Sequence, residues 1–171
     1  MSASIELKLK PYCEKLARLF DDPVVILCGS TALGENMPWS DVDLMVIADF
    51  EKPFLDRLTE LALLNDTGLR LEVLGYTPNE FAQMLDNLNA AAIEAVEYGI
   101  PLISGKALPE LRRKLVDLKK LGLTKTSCTY FIPQGRGRNT HFGKLRPTVR
   151  PRKSAFPFRV HGQADTSFTM S

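Results

Sequence analysis

Gly29-Ser30-Thr31-Ala32-Leu33-Gly34-Glu35-Asn36-Met37-Pro38-Trp39-Ser40-Asp41-Val42-Asp43 is the stretch whose reading decides the fold. It follows an apolar run, Val24-Val25-Ile26-Leu27-Cys28, and leads into a second, Leu44-Met45-Val46-Ile47. Their β-branched residues fit buried strands, so two strands frame one loop. Gly29 and Ser30 stand where the first strand ends and a short helix can begin, which turns free backbone N–H groups and a small hydroxyl toward an anion such as a phosphate. Asp41 and Asp43 open the second strand two residues apart, and the period of two sets both carboxylates on one face.

Two carboxylates on one strand face repel each other and raise each other's pKa unless a cation lies between them. Hard oxygen ligands beside a triphosphate suit Mg2+, which takes one or two carboxylates and is completed by substrate phosphates. A pair of such ions, roughly 3.5–4 Å apart, can activate an attacking oxygen and stabilise a leaving pyrophosphate. That arrangement calls for a third carboxylate. Glu72 is the candidate: it is the one acid of Leu69-Arg70-Leu71-Glu72-Val73-Leu74-Gly75-Tyr76, an expected strand in which an unpaired charge would be costly. The competing reading is a half-exposed strand on which Arg70 and Glu72 form an ordinary same-face pair.

Gly29-Ser30, ten residues, then Asp41-x-Asp43 resembles the GS-x10-DxD signature of the DNA polymerase β-type nucleotidyltransferase superfamily. Within it, the Ser-Asp-Val-Asp-Leu form is similar to the minimal nucleotidyltransferases (MNT). The glycine-serine, the gap, the flanking strands and the downstream acidic strand all agree. The resemblance covers roughly the first 120 residues, and it departs from the usual family pattern in offering Glu72 where Asp is commoner. It implies an α/β (α+β) nucleotidyltransferase fold, a small mixed β-sheet with helices packed against it. It also implies transfer of a nucleoside monophosphate, AMP from ATP being the usual case, to an acceptor hydroxyl. Asp41, Asp43 and Glu72 would be catalytic and would bind two Mg2+ ions, while Gly29 and Ser30 would hold the nucleotide. Such proteins are often paired with a HEPN-domain protein as antitoxin and toxin, and some place AMP on a tyrosine of that partner.

Outward from the motif, the pattern alternates helix and strand. Ile5 to Phe20 carries Leu9, Tyr12, Leu16, Leu19 and Phe20 at helical spacing, and Asp49 to Asn65 does so with Phe54, Leu55, Leu58, Leu61, Ala62 and Leu64. Thr77-Pro78-Asn79-Glu80 has the form of a capping box opening a helix that runs to about Leu88. A shorter helix follows from Ala90 to Tyr98, then an edge strand at Ile100–Ser104 containing Pro101. Pro109 to Leu121 is expected to form a last, basic helix with Leu111, Leu115, Leu118 and Leu121 as its stripe, stopped by Gly122. Such stripes are commonly core, but those of the last two helices are also candidate docking faces. Lys52, Arg57 and Trp39 are of types that can contact phosphate or base, but nothing in the sequence separates that from a surface or packing role, and they are not assigned to the site.

The chain then changes character. Residues 1–122 carry net charge −6 and residues 123–171 net +8, together the +2 of the whole. The expected organisation is a nucleotidyltransferase domain over 1–122, a terminal strand within 123–133, and a basic, disordered tail over 134–171. In the tail, Arg136, Arg138, Arg146, Arg150, Arg152 and Lys153 interleave with Phe142, Phe156 and Phe158, a pattern that permits weak nucleic-acid contact or serves only solubility. His141 and His161 are too isolated for a metal site. Three widely spaced cysteines, Cys13, Cys28 and Cys128, argue against a disulfide framework or a zinc site. With 44% hydrophobic and 25% charged residues and no long apolar run, the expectation is a soluble cytoplasmic protein with no membrane span and no signal peptide. The alternative to an enzyme is a catalytically silent module that acts on a partner by contact, with the tail adding nucleic-acid affinity. Intact Asp41, Asp43 and Glu72 count against it, since charges that are costly without metal need not persist in a silent domain.

Overall fold

Val24–Cys28 is buried at every residue, which only an inner strand flanked on both sides and covered on both faces can achieve. The computed structural model, which describes residues 2–35, 40–127 and 129–133, makes it β1, the third strand of a four-stranded sheet ordered β3-β2-β1-β4. Here β2 is Val42–Ile47, β3 is Leu71–Tyr76 and β4 is Ile100–Ile103. β1 runs antiparallel to both β2 and β4, whereas β2 and β3 are parallel. The expected mixed sheet with helices packed against it is what the chain forms, and β4 lies at an edge as Pro101 requires.

Alternation along the strands divides the core in two. On one face Val25, Leu27, Val42, Leu44 and Val46 pack against Leu9, Tyr12 and Leu16 of α1 (Ser2–Leu19), with Leu61 of α3 (Phe54–Leu63) in the same layer. The Tyr12 hydroxyl, fully buried, donates to the Leu61 carbonyl at 2.9 Å and ties these two helices together. On the other face Val24, Ile26, Met45 and Ile47 meet α4 (Pro78–Asp86), α5 (Ala90–Tyr98) and α6 (Ala107–Lys120). A parallel β2–β3 pair needs a crossover connection, and α3 supplies it.

Several boundaries differ from the sequence expectation for identifiable reasons. The helix expected from Asp49 begins only at Phe54, because Pro53 adopts ψ 155° and stands as the N-cap. The last helix begins at Ala107 rather than Pro109, which is tolerated because the first-turn N–H groups have no intrahelical partner. Residues 123–133, expected as one strand, form a hairpin of two short strands, β5 (Thr124–Lys125) and β6 (Tyr130–Phe131). Lys125 holds the hairpin to α5, its ammonium 2.8 Å from Glu94 and near the rings of Tyr98 and Tyr130. The stripes offered as docking faces are core in their middle, where Ala92, Ile93, Ala95, Val96, Leu111 and Leu115 are buried, while Tyr98 and Leu121 at their ends are exposed. The tail over 134–171, and Cys128, lie outside the described residues.

Candidate active site

The motif splits into a turn and a strand end. β1 stops at Cys28, and the chain enters α2 (Gly29–Ala32), a single turn with Gly29 at φ +65°. Among the described residues no side chain caps α2, which leaves its first N–H groups to other partners. The loop closes through Gly34, at φ +76°, with the Glu35 N–H donating to the Ser30 carbonyl at 2.9 Å. Residues 36–39, Trp39 among them, lie outside the described residues.

Register brings the acids together. Cys28 pairs with Asp43 across β1 and β2, and Asp43 pairs with Glu72 across β2 and β3. Neighbouring strands lie about 4.8 Å apart. Asp43 and Glu72 therefore stand side by side on the sheet face shared with Cys28. Burial pushes both pKa values up; Asp41 raises Asp43 further, and Asp43 followed by Asp41 raises Glu72. Asp41 lies just before β2, and its Oδ1 is 2.9 Å from Arg70 Nε. Arg70 thus pairs with Asp41 rather than with Glu72, and the same-face pair weighed from the sequence does not form. The Cys28 thiol, buried and pushed up to about 12, donates to the Ile26 carbonyl at 3.5 Å and is no nucleophile.

The close approach of turn and strand explains the glycine. A Cβ at position 29 would collide with Asp43 Oδ2, so only glycine lets the carboxylate lie over the turn. Residues 9–100, more than half of the chain, match the family model described as a nucleotidyltransferase domain. The chain belongs to this nucleotidyltransferase domain family. No curated protein matches it. Four chains of solved structures do. One, described as "Crystal structure of the toxin-antitoxin with AMP-PNP", is 17% identical with a TM-score of 0.43 over 67% of this chain and 86% of that one.

A nucleotidyltransferase domain marks the chain as an enzyme of nucleotidyl transfer, and the family generally uses a nucleoside triphosphate and a divalent metal. The residues fit such an ion in kind: Asp43 and Glu72 are hard oxygen donors whose mutual repulsion a cation would relieve. They do not form a finished cage. Among the described residues no three His, Cys, Asp or Glu side chains are gathered to hold a metal ion, and Asp41 is turned to Arg70. No helix among the described residues is long and apolar enough to cross a membrane.

Two features of the site were not legible in the sequence. Thr31, within α2, is 2% exposed and its hydroxyl has no hydrogen-bond partner among the described residues, an orphaned polar group in the Gly29-Ser30 turn. The Arg70–Asp41 pair follows from a bond between the Val42 N–H and the Arg70 carbonyl at 2.8 Å, which no local pattern announces. Arg57 resolves the other way: it is 6% exposed and held by Glu80 at 2.6 Å and by the Lys52 carbonyl at 2.6 Å, so it is a packing residue, while Lys52 pairs with Glu60.

Proposed function

We propose that this protein transfers a nucleoside monophosphate, AMP from ATP, to an acceptor hydroxyl, using Asp41, Asp43 and Glu72 as catalytic and metal-binding carboxylates and Gly29 and Ser30 as nucleotide-binding residues. The observation that carries the reading is the β2–β3 register, which sets Asp43 beside Glu72 under the Gly29 turn. Two bound Mg2+ ions would polarise the α-phosphate and offset charge on the leaving pyrophosphate. The chain's own residues do the rest. The turn N–H groups and the Ser30 hydroxyl hold the outer phosphates. Asp43 and Glu72 hold the reacting groups at the end of the sheet where β2 and β3 begin. Glu72 takes the proton from the acceptor hydroxyl as the hydroxyl oxygen bonds to the α-phosphorus and the α–β anhydride bond breaks, releasing pyrophosphate.

The motif's similarity to the minimal nucleotidyltransferases supports a protein acceptor, a tyrosine of a HEPN-type toxin, and with it an antitoxin role in the cytoplasm. Incubation with label on the α-phosphate of ATP, Mg2+ and such a partner is expected to label the partner. Asp43→Asn should lower the rate by roughly 10²–10³-fold or more. Equal labelling by wild type and Asp43→Asn would overturn the assignment. Tight capture of the partner without label would favour the silent, contact-acting module.

A further inference from the structure

Arg70 is a charge beside the carboxylates that the proposed reaction leaves unused. It immediately precedes β3, two residues from Glu72, and its carbonyl accepts the Val42 N–H at 2.8 Å. That bond fixes the start of β2 against the start of β3 and delivers the guanidinium to Asp41, with Nε 2.9 Å from Oδ1. Both side chains face solvent, Arg70 at 76% and Asp41 at 45% exposure. The fold has little need of the pair: an exposed ion pair is worth about 0–1 kcal/mol, and the main-chain bond that orders this corner is available to any residue but proline at position 42. Its consequence is chemical. It occupies an oxygen of Asp41 and sets a permanent positive charge beside the carboxylates to which a divalent cation would bind.

Resting on the functional reading above, we infer that Arg70 is a positioning residue. It engages an oxygen of Asp41 in the free enzyme and passes to the triphosphate when a metal–nucleotide complex arrives. The exchange conserves charge contacts: Asp41 trades a guanidinium for the metal, and Arg70 trades a carboxylate for a phosphate, the anion its planar fork matches equally well. Metal alone offers Arg70 no new partner, so free ion is disfavoured. Metal with nucleotide offers one, so that complex is favoured. Arg70 thereby makes the site take its ion with its substrate.

The signature is a pair of opposite shifts, which a structural role would not produce. In the full chain, Arg70→Gln is expected to bind Mn2+ alone about three- to tenfold more tightly than wild type, read by electron paramagnetic resonance titration. The same variant should bind Mn2+ plus an α,β-methylene analogue of ATP about three- to tenfold more weakly, and its KM for ATP should rise more than its kcat falls. Arg70→Lys, which keeps the charge, should return both affinities toward wild type. Shifts of the same sign for the two ligands, or no shift at all, would overturn the inference about Arg70 while leaving the site intact, provided that Asp43→Asn abolishes Mn2+ binding. Undiminished Mn2+ binding by Asp43→Asn would instead overturn the functional reading on which the inference stands.

Discussion

Residue 29 shows how one position answers to two demands. Its φ of +65° suits glycine, and a Cβ there would strike Asp43 Oδ2. The sequence assigned Gly29 to anion binding through its N–H; the structure adds that a carboxylate needs the space a side chain would fill. Asp43 itself is held against its own interest, since burial and Asp41 both raise its pKa and so oppose the charged form at neutral pH. A charge kept at a cost to the fold is what the proposed catalytic role of Asp43 requires. Asp43→Asn, which keeps the shape and removes the charge, should therefore raise the melting temperature by roughly 1–4 °C in metal-free buffer near neutral pH while losing transfer. A melting temperature clearly below wild type in that variant would show that the carboxylate serves structure.

Elements were legible where their signals are local. Thr77-Pro78-Asn79-Glu80 has the capping-box spacing, and the structure carries it out: Thr77 Oγ1 accepts from the Glu80 N–H at 3.2 Å and Glu80 Oε2 from the Thr77 N–H at 2.8 Å. What no local pattern shows is that Glu80 also receives Arg57 of α3, at 2.6 and 3.2 Å, so that the cap of α4 is bolted to the crossover helix. The guanidinium lies over the Phe50 ring, 5.2 Å from its centre. Hydrogen bonding from Arg57, opposed in part by burial and reinforced by the Thr77 N–H, holds the Glu80 carboxyl below the ordinary glutamate range. A folded-state pKa lowered in this way contributes stability that is fully present above the unfolded-state value and is lost as pH falls through the folded-state value. Glu80→Gln should thus cost about 1 kcal/mol at neutral pH, a figure that allows for the side chain's partial exposure. In urea unfolding from neutral pH down to about pH 3, the gap between wild type and variant should narrow as the wild-type carboxyl protonates. A gap independent of pH would mean that charge plays no part in this junction.

Across the whole molecule, strand identity could be read from apolar runs, but strand order could not. β4 comes last in the chain of sheet strands yet pairs with β1, and Glu72 meets Asp43 only because β2 and β3 run parallel in one register. Pairing depends on crossovers and on which faces the helices cover, and those are long-range facts. The division of charge, by contrast, is plain in the sequence: net −6 over residues 1–122 and net +8 over 123–171. All of the proposed catalytic residues belong to the acidic part, and so do the four-stranded sheet and all six helices among the described residues. Chemistry and polyanion affinity should therefore separate. Truncation after Pro133 removes eight Lys and Arg residues and one Asp, and should abolish retention on a polyanion such as poly(U) RNA, a retention that in the full chain weakens steeply between about 50 and 200 mM salt. Labelling of a protein acceptor should persist within about twofold in the same truncated chain, since none of the carboxylates or turn residues is touched. Loss of labelling together with unchanged ATP binding would show instead that the basic segment presents the acceptor, and that recognition and chemistry are not divided along the line the charges draw.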